Sequence, residues 1–189
     1  MKKLLLITSL ASVLTLPTLV NAADYKIDTK GAHASINFKV SHLGYSFIQG
    51  RFNTFSGEFS YDANDVEASK VSVNIDTTSL DSNHAERDKH LKGSDFINVG
   101  KFATSTFVSN KVVKNTDGSL AISGDLTLHG VTKNITLDTQ VIGEGQDPWG
   151  GYRVGFEATT RLELKDFGIK VLGASSYADM NLQVEGIKQ

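Results

Sequence analysis

The stretch LAISGDLTLHGVTKNITLDTQV, residues 120–141, decides the fold. Leu120, Ile122, Leu126 and Leu128 share one parity, and Val131, Ile135, Leu137 and Val141 repeat the pattern after two residues, His129-Gly130. An apolar period of two is the mark of half-buried strands. A two-residue connection containing glycine is the mark of a tight antiparallel hairpin. The chain folds back on itself here as two paired strands with one apolar face.

The same alternation extends in both directions. Ile36, Phe38 and Val40 alternate with polar residues, as do Val71, Val73 and Ile75; Val154, Phe156, Ala158, Leu162 and Leu164, then Met180, Leu182 and Val184, continue it. Asp117-Gly118 predicts a second tight turn, and Asp147-Pro148-Trp149-Gly150-Gly151 a longer loop. The expected strands are 33–41, 46–61 (long, bent near Asn53), 69–77, 103–113, 119–129, 131–142, 152–165 and 176–187. With no βαβ alternation, eight antiparallel strands form a sandwich or close into a barrel. Their length favours the barrel, which also removes exposed edges.

The ends and the composition bound the function. Met1-Lys2-Lys3, an apolar run from Leu4 to Val20 and Val20-Asn21-Ala22 have the layout of a secretory signal peptide, cleaved after Ala22. The run is too short, and too broken by Pro17, for a stable membrane span. No cysteine follows it, so no lipid anchor is expected. The expected product, residues 23–189, is one soluble periplasmic domain, large enough to fold without disulfide or metal staples. The full chain carries 19 Lys and Arg against 21 Asp and Glu, and loss of the leader makes it more acidic. That balance gives no support for nucleic-acid binding.

Only residues 78–100 have helical character. Within them, HAERDKHLKGSDF (84–96) gathers two histidines, acids and bases. Asp81 or Ser82 is expected to cap a helix, with Leu91 and Phe96 as its apolar side. A metal-dependent or hydrolytic enzyme using His84, Asp88 and His90 is the rival reading. Six residues separate the two imidazoles, about 600° of helical turn, so they lie on different faces. A catalytic zinc wants three ligands on one rigid frame. The charged helix is therefore read as architecture. No Gly-x-Ser-x-Gly, cysteine nucleophile or phosphate-binding glycine loop is present. Asp166-Phe167-Gly168 stands alone without companion kinase motifs. His33 and His42 read as hydrogen-bonded structural residues. No catalytic residue, metal or cofactor is expected.

Four blocks in one order resemble the YceI family of secreted, lipocalin-like proteins. HASINFKVSHLGYSFIQGRFNTFSGEF matches the opening block at His33, Phe38, Val40, His42, Leu43, Gly50, Phe52, Phe55 and Gly57. HAERDKHLKGSDF is similar to its Arg-Asp-x-His-Leu…Asp-Phe block at Arg87, Asp88, His90, Leu91, Asp95 and Phe96. GDLTLHGVTKNITL and LKDFGI resemble its hairpin and closing segment. The departures, KFATSTF without the family's usual proline and Asn134 where proline is common, fall in wall or turn. The resemblance implies an all-β fold: an eight-stranded antiparallel, lipocalin-like barrel with one short helix near one end. It further implies a lumen holding a polyisoprenoid or similar long-chain amphiphilic lipid, such as an isoprenoid quinone or its precursor, with no turnover. Barrels of this kind can pair side by side as homodimers.

Parity and aromatic content then name the expected wall of that lumen. Phe38, Val40, Phe52, Phe55, Phe59, Val73, Ile75, Ile122, Leu126, Ile135, Leu137, Phe156, Ala158, Leu162 and Leu182 should face inward. His42, with Asn37 and Arg87, is a candidate for a head group at the mouth. Alternation fits equally a barrel filled by its own side chains; the resemblance is what favours a cavity.

Overall fold

The computed structural model describes residues 22–189; the expected signal peptide, apart from Ala22, lies outside them. Its strand segments are β1 (Ala23–Ile27), β2 (Ser35–His42), β3 (Ser46–Phe52), β4 (Phe55–Tyr61), β5 (Lys70–Asp76), β6 (Leu80–Asp81), β7 (Thr104–Lys114), β8 (Leu120–Leu128), β9 (Val131–Gln146), β10 (Tyr152–Glu163) and β11 (Tyr177–Lys188), with α1 (Ala85–Leu91) between β6 and β7. Every pairing is antiparallel. The order β4-β5-β7-β8-β9-β10-β11 closes on itself because β1 pairs with both β4 and β11.

Eleven segments make eight wall positions. β1 and β2 follow one another along β11, Ile27 opposite Gly186 and Ser35 opposite Gln183, so they are one strand with a break. β3 and β4 are likewise one long strand, bent at Asn53-Thr54, as the sequence predicts. The result is a closed up-and-down barrel in which each wall strand neighbours the next in sequence. The hairpin at His129-Gly130 is as expected, with φ of 53° and 74°, the paired positive values a two-residue turn requires.

Three local expectations are corrected. The first wall strand begins at Ala23 rather than 33; Tyr25 and Ile27 alternate, but only over five residues, and a turn at 28–34 then hides the continuity. The last part of β9 runs on to Gln146, past the expected end at 142. The helix is only Ala85–Leu91, and its cap is His84, whose Nδ1 accepts from the Arg87 amide at 3.2 Å. Asp81 and Ser82 do not cap it because both are engaged elsewhere. Asp81 accepts from the Asn83 amide, and Ser82 donates to Asp88 while accepting from Arg87. Leu91 and Phe96 pack onto the barrel, which fixes the helix across one end.

The two barrel ends differ in packing. At the end holding the β4–β5, β7–β8 and β9–β10 turns, Tyr25, Phe59, Tyr61, Val66, Val112, Leu120 and Val154 are buried together. Tyr25 stacks on Phe59 at 5.1 Å between centroids, and Phe156 meets Phe59 and Tyr61 edge-on at 5.5 and 5.3 Å. β11 offers Gly186 beneath that stack, where a Cβ would overlap the Phe59 ring. At the other end Phe167 and Ile169 plug part of the opening, and the rest stays open beside α1. The Asp166-Phe167-Gly168 triplet is thus a plug and a turn: Phe167 is fully buried, and Gly168 takes φ 68° to end the short 3₁₀ helix.

Candidate functional site

Inward parity from eight strands converges on one cavity of about 610 Å³, within the range of ligand pockets. Its wall runs along β8 from Leu120 to Leu128. Eight residue steps make about 27 Å of strand, or about 20 Å along a barrel axis crossed at the usual tilt. The lining is aliphatic and aromatic over nearly all of that depth. Its aromatic wall includes Phe38 and Phe52, their rings 6.0 Å apart, as well as Phe55, Phe59, Phe107 and Phe156.

Charged and imidazole groups appear only where the cavity opens. Every charged or imidazole side chain on the wall, His42, Glu86, Arg87, His90 and Lys170, belongs to the α1 end. Arg87 is fixed there: its Nε donates to the Ser82 hydroxyl at 2.8 Å and its guanidinium also donates to the Ser82 carbonyl. His90 packs edge-on against Phe96 at 4.9 Å. Lys170 donates to Asp95 at 2.9 Å, which holds the Asp95 carboxyl below its ordinary pKa. The three candidate catalytic or metal residues on the helix do separate work. His84 caps the helix, Asp88 accepts from the Ser82 amide at 2.8 Å, and His90 faces the mouth.

The opposite end is shut by the aromatic stack and, on the outer face, by a charged knot. Arg153 donates to Asp28 at 2.7 Å, to Asp147 at 2.7 Å and to Glu185 at 2.5 Å. Hydrogen bonds from Arg153, then from His33, hold Asp28 at a pKa of about 2. Asp28, His33 and Glu185 are close enough to share a metal ion. The Arg153 guanidinium already supplies a cation to both carboxylates, and the cluster reads as a clasp across the β1–β2 break. Burial first, then the Glu144 carboxylate, pushes the Tyr25 and Tyr61 phenols up.

All fifteen wall candidates named from the sequence lie along the cavity, and His42 lies at its mouth. Arg87 is at the mouth as well. Asn37 is not on the wall; it faces outward and donates to Ser35 Oγ at 2.8 Å. The structure adds wall residues beyond those named from the sequence, among them Phe107 in β7 and Met180 in β11, which alternate as their neighbours do. Leu91, Phe96, Ile97 and Leu172 come from the helix and loops, where no period announces an inward face.

The YceI-like domain model matches residues 25–186. A UPF0312 protein of Vibrio vulnificus is 66% identical over 189 residues, covering all of both chains. The solved structure of a Campylobacter jejuni YCEI protein superposes with a TM-score of 0.72 at 27% identity, covering 79% of this chain and 90% of that one. A polyisoprenoid-binding domain from Saccharophagus degradans superposes with a TM-score of 0.63 at 14% identity, covering 89% and 99%. At that identity the last likeness concerns the fold.

Proposed function

The chain belongs to the YceI-like family, and we propose that it is a binding protein which holds a polyisoprenoid or similar amphiphilic lipid in its lumen. An isoprenoid quinone or its precursor is the ligand class, and storage, transport or sequestration the task. One observation carries the reading: the cavity is lined by hydrocarbon along nearly all of its length and by charged or imidazole groups only at its open end. A long apolar chain with one polar head group has the same distribution. Burying such a chain is worth about 0.8 kcal/mol per methylene before losses. Chain entropy takes much of that back, leaving about 0.3 kcal/mol per heavy atom for large ligands.

The fold of the polyisoprenoid-binding domain from Saccharophagus degradans supports the same reading. Export to the periplasm after removal of residues 1–22 is part of the proposal, supported by the leader pattern. No helix among the described residues is long and apolar enough to cross a membrane. Turnover forms no part of the proposal, because His84, Asp88 and His90 serve the helix and its packing.

The test is titration of purified protein with an isoprenoid quinone, against Phe38→Asp. An unpaired carboxylate in a hydrocarbon lumen is strongly disfavoured. Binding should fall by more than about tenfold, or folding should fail. Unchanged binding and unchanged folding would remove Phe38, and the first wall strand with it, from the ligand's path.

A further inference from the structure

The rim beside the opening exposes an unusual amount of apolar surface. Leu43, Tyr45 and Phe47 on the β2–β3 hairpin are 49%, 87% and 56% exposed, and Leu172 on the adjoining loop is 41% exposed. Single exposed hydrophobes are ordinary, whereas a cluster at one edge marks a contact surface. Leu43 and Leu172 also line the lumen, so apolar surface passes unbroken from the cavity over its rim.

The hairpin tip is held in place. Leu43 takes φ 54° and Gly44 φ 88°, and the left-handed region is costly for a leucine. Ser175 on the neighbouring loop donates to the Ser41 carbonyl at 2.6 Å and accepts from the Leu43 amide at 3.4 Å. The Gly44 amide donates to Ser41 Oγ at 3.1 Å. These bonds hold the backbone of the tip at the rim.

Of the charged groups, the hairpin itself carries only bases. From Phe38 to Phe52 it carries Lys39, His42 and Arg51 and no carboxylate, with Asp179 of β11 3.8 Å from Lys39, while the turns at the closed end carry Asp62, Asp65, Glu67, Asp117 and Asp147. Lys39 Nζ lies 4.9 Å over the Phe47 ring, a cation beside an exposed aromatic. Exposed aromatic and aliphatic residues with flanking bases are the elements by which proteins lie in an anionic bilayer interface.

We propose that this rim is a docking face for an anionic lipid bilayer. Tyr45, Phe47, Leu43 and Leu172 enter the boundary between head groups and acyl chains, and Lys39 and Arg51 stay at the phosphates. The lumen then opens onto the membrane, and a lipid passes between the two without crossing water. The proposal rests on the lipid-binding reading of the lumen for its purpose, and its test is separable from that reading.

Trp149 is the chain's one tryptophan and sits exposed at the closed end. With vesicles of phosphatidylethanolamine and phosphatidylglycerol, its emission should not change. Tyr45→Trp in a Trp149→Phe background should shift to the blue. Tyr45→Ser combined with Phe47→Ser should lower the vesicle-bound fraction by about tenfold, and phosphatidylcholine vesicles should bind less of the unaltered protein. The double variant should take up isoprenoid quinone from an ethanol dispersion as the unaltered protein does, but lose uptake from vesicles. Equal vesicle binding by the double variant overturns the proposal. So does a vesicle-induced shift of Trp149, or a dimer in sedimentation that the double variant abolishes, since the patch would then face a second copy. If neither protein takes up quinone from ethanol, the lumen reading fails, and vesicle binding still decides the docking face.

Discussion

The aromatic stack at the closed end of this barrel and the β2–β3 tip at the open end use aromatic residues in opposite ways. At the closed end Tyr25, Phe59, Tyr61 and Phe156 meet ring to ring, and the first three are almost inaccessible to solvent. At the open end Tyr45 and Phe47 stand in solvent beside a lysine. Both ends are served by the same wall strand, β3 with β4, which delivers Phe47 to one and Phe59 to the other. Residue type therefore says little about role here; depth along the strand says most. The stack turns hydrophobic area into stability, and the β2–β3 tip leaves it available for contact. Trp149 at the closed end and Phe167 at the open end stand outside that contrast.

Substitutions that act on one end alone test this contrast. The largest effect is expected from Phe59→Ala, which empties the centre of the aromatic stack and should cost about 3–5 kcal/mol in denaturant unfolding. Gly186→Ala comes next. Its methyl must displace the Phe59 ring, and overpacking of that kind costs about 1–3 kcal/mol. If both changes were tolerated, the stack would not be the seal that closes the barrel.

The clasp at the closed end adds a dependence on acid. Asp28 titrates at about 2 in the folded protein against an ordinary 3.8. A depressed folded pKa contributes stability above the unfolded value, and the contribution is lost as pH falls through the folded one. The thermal midpoint should therefore drop between about pH 4 and 2, and Asp28→Asn should flatten that limb. A limb of equal depth in the variant would assign the acid loss to other carboxylates. The smallest effect belongs to the open end: Phe47→Ala should shift stability by no more than about 0.5 kcal/mol. A loss as large as that of Phe59→Ala would erase the difference between the ends.

Much of this architecture is legible in the sequence because alternation and turn chemistry are local. The 120–141 hairpin, the bend at Asn53 and the inward faces of seven of the eight wall positions, all but β7, follow from patterns a few residues long. The start of the wall is not legible in the same way. Tyr25 and Ile27 are only two inward positions, and the turn after them depends on Arg153, which the fold brings from 125 residues away. Nor does parity encode depth. Val154 and Phe156 share a face, yet Val154 is wholly buried in the floor while Phe156 borders the cavity. Whether a barrel is filled or hollow turns on such differences, and alternation is the same in both cases. Residues that reach the lumen from outside the strands, such as Leu91, Phe96 and Leu172, carry no periodic signal at all.

The proposal that the lumen holds a long-chain isoprenoid lipid makes the bound lipid itself the thing to look for. It is tested most directly by native mass spectrometry of the protein purified from its natural source, followed by solvent extraction of what it carries. The protein should show a mass above that of the polypeptide, and the extracted species should fragment in isoprene steps. A bare polypeptide mass, with no uptake of added isoprenoid quinone, would contradict it.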